Sequence, residues 1–83
     1  MAYEVKMPRL GWGMEHGILV EWLKEEGEWV REGESLFSVE NDKSVQEVEA
    51  MESGALRFPD PPAPIGEDIP VGTVIAYLLD KEE

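Results

Sequence analysis

Met14-Glu15-His16-Gly17-Ile18-Leu19 returns 37 residues later as Met51-Glu52-Ser53-Gly54-Ala55-Leu56. Gly27-Glu28-Trp29-Val30-Arg31-Glu32-Gly33 then returns as Gly66-Glu67-Asp68-Ile69-Pro70-Val71-Gly72, and Leu36 and Val39 match Ile75 and Leu78. The offset grows from 37 to 39 because seven residues separate Leu19 from Gly27 and nine separate Leu56 from Gly66. The insertion is assigned to the proline-rich segment. Solenoid arrays need three or more copies to bury a continuous core. Two copies in 83 residues instead predict the halves of one pseudo-symmetric domain over residues 1–83, at about 3–40 and 45–79.

The repeat unit is β-structure. Gly or Pro interrupts the chain at 8, 11, 13, 17, 27, 33, 54, 59, 61, 62, 64, 66, 70 and 72, and the runs between are rich in Val, Ile, Phe, Tyr and Trp. Strands are expected over Tyr3 to Met7, Gly17 to Leu23, Ser35 to Glu40, Ser44 to Ala50, Gly54 to Phe58 and Thr73 to Leu79, with short extended pieces at Trp29-Val30 and Ile69-Pro70. Within Gly17 to Leu23, Ile18, Val20 and Trp22 share a parity that suits one buried face, which Leu19 and Leu23 blur, as bulges and strand ends that bury both faces would do. Sheet closure is expected, because it removes edge strands. The run Trp22 to Glu28 has no apolar face and is read as a turn, and Phe58 to Pro64 as a surface loop, since its prolines lack the N–H a ladder needs. Gly17 and Gly54, and Gly33 and Gly72, recur in register, which predicts positive φ or close strand approach at each pair.

Composition excludes much. There is no cysteine, so disulfides, thiolate metal sites and a cysteine nucleophile are ruled out, and a single histidine cannot build a metal cluster. Nineteen acidic residues against seven basic give a net charge of −12, which repels phosphate backbones and anionic lipid and reads equally as a solvated coat or as steering toward a basic protein surface. No apolar run approaches the roughly 20 residues that span a bilayer, and Met1 to Val5 lack the basic start and apolar run of a signal peptide. Neither nucleic acid nor membrane is expected as a partner. The absence of an Arg-rich transit segment favours a prokaryotic cytoplasm over the mitochondrial matrix.

Between Val39 and Val45 the chain must reverse, and Asn41-Asp42-Lys43-Ser44 suits a type I turn with Asn at its first position. Lys43 is thereby expected at a hairpin tip near the midpoint of the duplication. A lysine on a turn is ordinary, and the tetrapeptide alone carries little weight. The whole chain, however, resembles the lipoyl domain of the acyltransferase subunits of 2-oxo acid dehydrogenase complexes. The family's motif around its modified lysine reads Glu-Thr/Ser-Asp-Lys-Ala/Ser, against Glu40-Asn41-Asp42-Lys43-Ser44 here. Lys6-Met7-Pro8 with Leu10, Met14-Glu15, Gly17, Trp22-Leu23 before Gly27, Val30-x-x-Gly33 and Val71-Gly72 extend the match along the chain. Asn41, where Thr or Ser is commoner, and the proline run after Phe58 depart from it.

That resemblance implies a flattened β-barrel or sandwich of two four-stranded antiparallel sheets with pseudo-two-fold symmetry. It implies that Lys43 carries lipoic acid in amide linkage, attached by a lipoate ligase or by octanoyl transferase and lipoyl synthase. The arm would serve a thiamine-diphosphate decarboxylase, an acyltransferase catalytic domain and the flavoenzyme dihydrolipoyl dehydrogenase, with the domain itself a monomer and not a catalyst. A lysine amine with a pKa of about 10.4 must lose a proton before it attacks an activated acyl group, so an exposed amine suits an external enzyme that brings the base.

Asn41, Asp42 and Ser44 are then turn support, and Leu10, Gly11, Trp12, Glu40 and Glu47 are candidates for partner recognition, with Trp12 reading equally as a cap on the small core. Glu40, Asp42 and Glu47 are read as a solvated acidic surround rather than an acid–base pair, since residues on an open turn lack the burial that separates pKa values. Trp22 and Trp29 are read as core or rim packing. His16, aligned with Ser53, is read as a turn residue without chemistry. A biotin carrier commonly has methionine on both sides of its lysine, where Asp42 and Ser44 stand here. An unmodified β-barrel interaction module is the alternative outside the carrier class. The acyltransferase His-x-x-x-Asp-Gly signature is absent.

Overall fold

A computed structural model describes residues 2–11, 13–41 and 44–80. Eight strands follow one another: β1 (Ala2–Lys6), β2 (His16–Trp22), β3 (Trp29–Val30), β4 (Ser35–Glu40), β5 (Val45–Glu49), β6 (Gly54–Arg57), β7 (Asp68–Pro70) and β8 (Val74–Leu79). All eight expected extended segments form, and no helix occurs among the described residues. The strands make two four-stranded antiparallel sheets, ordered β1-β8-β6-β3 and β5-β4-β2-β7. Shifting each label of the first sheet by four positions, cyclically, produces the second. The duplication seen in the sequence is therefore a two-fold relation between the sheets. The sandwich is open: β1, β3, β5 and β7 remain edges, so the expected closure into a barrel does not occur.

The symmetry extends to single bonds. The Gly27 N–H donates to the Leu56 carbonyl at 2.7 Å, and the Gly66 N–H donates to the Leu19 carbonyl at 2.9 Å. In the same way Gly33 N–H reaches Ala50 O and Gly72 N–H reaches Met7 O, at 2.8 and 2.9 Å. Both members of this second pair have φ of +93°, a region that costs an L side chain about 1 kcal/mol or more. Gly17 and Gly54 take the other expected role, close approach. A Cβ on Gly54 would lie 2.9 Å from backbone atoms of Leu78 and Leu79, while one on Gly17 would meet Met14 Cε at 2.8 Å and Val39 Cγ1 at 3.0 Å.

The core lies between the sheets and draws on both halves. Leu19 and Leu56, Val30 and Ile69, Leu36 and Ile75, and Val39 and Leu78 are equivalent pairs, all buried. Volume is traded at two others, where buried Met7 and Phe37 stand opposite the smaller Ala50 and Ala76 in the repeat. Trp22 closes one end, its ring centroid 5.2 Å from Phe37 and 4.9 Å from Phe58 in tilted contacts. Trp29 is 44% exposed and belongs to the surface, not the core.

The parity expected for β2 is reversed over its first part. Gly17 and Leu19 point inward, and Ile18 and Val20 are only half-buried. A bulge between Leu19 and Glu21 inserts one residue against β4 and returns Trp22 to the inner face, where it pairs with Phe37. A simple period of two cannot cross that extra residue.

On the surface, the Arg31 N–H donates to Glu34 Oε1 at 2.7 Å, and Lys24 Nζ lies 3.4 Å from Glu34 Oε2. The backbone donor first, and Lys24 after it, hold the Glu34 carboxyl below its ordinary 4.5. A depressed folded-state pKa contributes stability above the unfolded value and loses it as pH falls through the folded one. Urea midpoints of wild type and Glu34→Gln should therefore differ at neutral pH and converge well below pH 4.5.

Packing yields a sharper expectation. Gly54→Ala should cost about 1–3 kcal/mol, since backbone atoms of Leu78 and Leu79 obstruct it, and Gly17→Ala less, because its obstructions are side chains: the Met14 terminus can swing aside and Val39 Cγ1 must give by only a few tenths of an ångström. Phe37→Ala should cost about 3–5 kcal/mol, a large share of the 5–15 kcal/mol typical of a domain. Denaturant unfolding of the three variants measures the ranking.

Candidate functional site: a clasped hairpin turn

β4 and β5 form a hairpin whose last strand pair is Glu40 opposite Val45. Beyond it the Asn41 N–H donates to the Ser44 carbonyl at 2.9 Å, and the Ser44 N–H donates to Asn41 Oδ1 at 3.0 Å. The asparagine side chain thus satisfies a donor at the turn's exit, the local role for which Asn and Asp are favoured in turns. Asp42 and Lys43, the two residues between, lie outside the described residues. So does Trp12, and the sequence-based roles of these three remain expectations.

The loop from Pro8 to Glu15 comes to the side of this hairpin. Gly17 has no side chain, so Met14 lies across it, and Met14 Sδ accepts the Leu10 N–H at 3.2 Å while the Met14 N–H donates to the Gly11 carbonyl. A cleft results, in which Gly11, Gly13 and Glu15 face Glu40, Asn41 and Ser44. Of the residues proposed for partner recognition, Gly11 and Glu40 meet here. Leu10 and Glu47 do not: both line a different groove, between β1 and β5. Glu47 pairs in register with Ser38, two strand positions from the Glu40–Val45 pair, and accepts a hydrogen bond from Ser35 Oγ at 3.0 Å.

His16, Gln46 and Asp68 complete the cleft and were not singled out as site residues by sequence. His16 opens β2 opposite Pro70 rather than sitting in a turn, and its Nδ1 is 3.2 Å from Asp68 Oδ1, both side chains more than half exposed. The only sequence signal for Asp68 is its alignment with Trp29 in the other repeat, a change of character that asks for a reason.

The two-fold supplies one. Val45, Glu40, Ile18 and Asp68 form a continuous lateral row across the sheet that carries the hairpin. The equivalent row in the other sheet is Ala2, Leu79, Ala55 and Trp29. Paired residues share a face, so the same backbone positions carry two carboxylates beside the hairpin and none in the symmetry-related place. The scaffold tolerates apolar residues at these positions; the acidic character beside the turn is a property of the site.

The comparisons with known proteins agree with this architecture. A family model, Biotin_lipoyl, described as "Biotin-requiring enzyme", matches residues 3–78. The chain belongs to this biotin/lipoyl family. It is 41% identical over all 83 residues to the dihydrolipoyllysine-residue acetyltransferase component of the acetoin cleaving system of Bacillus subtilis. It is also 39% identical over its full length to that component of the Zymomonas mobilis pyruvate dehydrogenase complex, and 42% identical over 80 residues to component 3 of the mitochondrial pyruvate dehydrogenase complex of Arabidopsis thaliana. The chain spans 20%, 19% and 15% of the length of these relatives.

The clasp has a direct test. Asn41→Ala leaves the Ser44 N–H without its side-chain acceptor and should cost about 0.5–1.5 kcal/mol, while Asn41→Asp, which keeps an acceptor in place, should retain most of the stability. Thermal melts of the two variants measure the difference.

Proposed function

We propose that this chain is a swinging-arm carrier in which Lys43 bears lipoic acid in amide linkage. The observation that carries the reading is a hairpin held shut by Asn41 and Ser44 around two residues, the second of them a lysine, in a chain similar along its whole length to dihydrolipoyllysine-residue acetyltransferases. Glu40 and Ser44, on either side of the turn, are exposed, which suits access by a modifying enzyme.

In the attachment step the neutral Lys43 amine attacks the carbonyl of an activated lipoyl or octanoyl group, the activating group leaves with the bonding electrons, and the amine proton passes to the modifying enzyme's base. When bound, the dithiolane supplies acyl carriage and a reversible two-electron couple. The chain's own contribution is presentation: the Asn41 clasp fixes the direction in which the turn leaves the sheet, and the rigid sandwich beneath it provides a recognisable surface. The partners proposed are a thiamine-diphosphate decarboxylase, an acyltransferase domain that passes the acyl group to coenzyme A, and dihydrolipoyl dehydrogenase. Tethering raises the effective concentration of the arm at each of these without any catalytic group in the chain.

Asp42 and Ser44 beside the lysine support lipoate over biotin. Coexpression with a lipoate ligase should add one lipoyl group, located by peptide mass on Lys43, and Lys43→Ala should abolish the adduct while leaving the far-UV spectrum unchanged. A biotinyl adduct from parallel coexpression with a biotin ligase, with no lipoyl adduct, would overturn the assignment.

A further inference from the structure

A groove of about 870 Å³ separates β1 from β5, within the roughly 300–1,000 Å³ range of small-ligand clefts. Val5, Leu36, Phe37, Val48 and Ala50 line its apolar floor, and Tyr3 and Met51 flank it at 39% and 68% exposure. Tyr3 and Met51 are two of the five exposed large hydrophobics among the described residues. Isolated apolar residues on a surface are ordinary, but an apolar groove bordered by such residues is a contact surface.

The groove's walls are sheet edges. β1 is bonded to β8 alone and β5 to β4 alone, so each turns backbone donors and acceptors outward. The charges differ between them. On β1, Glu4 is paired with Lys6 at 3.9 Å. On β5, Glu47 and Glu49 share one face with no basic residue in the strand, while Val48 between them points toward the floor. A net charge of −12 opposes a second copy of the chain, an anionic membrane and nucleic acid at this rim.

We propose that the β5 edge of this groove docks an extended, lysine- or arginine-bearing segment of another polypeptide, added as a further strand. Its backbone would bond the β5 edge, its alternate apolar side chains would join Val48 over the floor, and the basic side chains between them would meet Glu47 and Glu49. Strand alternation puts both sets on their proper faces at once. The site lies along the strand that leaves the Asn41–Ser44 turn, centred on Glu47 to Glu49 rather than on the turn itself, and does not depend on the lipoyl reading.

The test uses a blocked heptapeptide of alternating lysine and valine, titrated into the full chain at low salt and followed by backbone amide shifts. Expected are perturbations concentrated at residues 45–49, affinity that falls with added salt, and about tenfold weaker binding to the double variant Glu47→Lys, Glu49→Lys. With wild-type chain, N-methylation of every second peptide residue should weaken binding about tenfold in one of the two registers, since only one places methyl groups in the ladder. Absence of binding, perturbations centred on the 41–44 hairpin, or undiminished binding of both N-methylated peptides would overturn the proposal. So would sedimentation showing that the chain alone dimerises through this groove.

Discussion

Neither half of the duplication can build a sheet by itself. Within the first half only β2 and β4 pair, and within the second only β6 and β8; the pairings β1–β8, β3–β6, β2–β7 and β4–β5 all cross between halves. The reciprocal bonds from Gly27 to Leu56 and from Gly66 to Leu19 stitch the same seam. The sheets, and the core that draws on both repeats, are therefore complete only when both repeats are in place. Among the cross-half pairings β4–β5 is local in sequence, while the others close long loops at an entropic cost. The turn at 41–44 is thus the natural starting point for joining the halves, as well as the segment on which the proposed chemistry falls.

Much of this was legible before any coordinates. The repeat forecast the two-fold, and glycine and proline punctuation located every strand, because chain breaks are written in residues with few conformational alternatives. Burial within β2 was only partly legible: Leu19 and Leu23 blur the alternation, as bulges do, but the sequence does not place the extra residue at Val20, where the bulge changes the inward parity. Openness of the sheets also escaped, since a strand's own sequence does not say whether a neighbour lies on its second side. Leu10 and Glu47, candidates for partner recognition, line the groove between β1 and β5 rather than the cleft at the hairpin. For Glu47 the reason is a strand that leads away from the turn at about 3.3 Å per residue. His16 and Asp68 lie 52 residues apart, and only the β2–β7 pairing brings them together. The proposal of Lys43 rests on its motif and the whole-chain resemblance.

The symmetry also provides an internal control that a single protein seldom offers. Two sets of equivalent backbone positions, in the same fold and solvent, carry different side chains: Glu40 and Asp68 in one row, Leu79 and Trp29 in the other. Structural demands on the two rows are alike, so their divergence reflects something beyond folding. The core shows the opposite behaviour, with Leu19 and Leu56 or Val39 and Leu78 conserving size and hydrophobicity between repeats, and with Phe37 and Met7 exchanged for alanines only as a compensating set.

The same rotation that carries Glu40 onto Leu79 carries Val45 onto Ala2, so Leu79 and Ala2 stand side by side in register as Glu40 and Val45 do. The hairpin tip and the gap between the first and last strands are consequently interchangeable in the architecture. A short bridge from Leu79 to Ala2, with new ends opened between Asn41 and Ser44, would give a circular permutant threading the same eight strands in the same two sheets. In such a permutant the β4–β5 pairing, local in the natural order, would become the one that closes the longest loop, so the same sandwich would have to assemble from a different first contact.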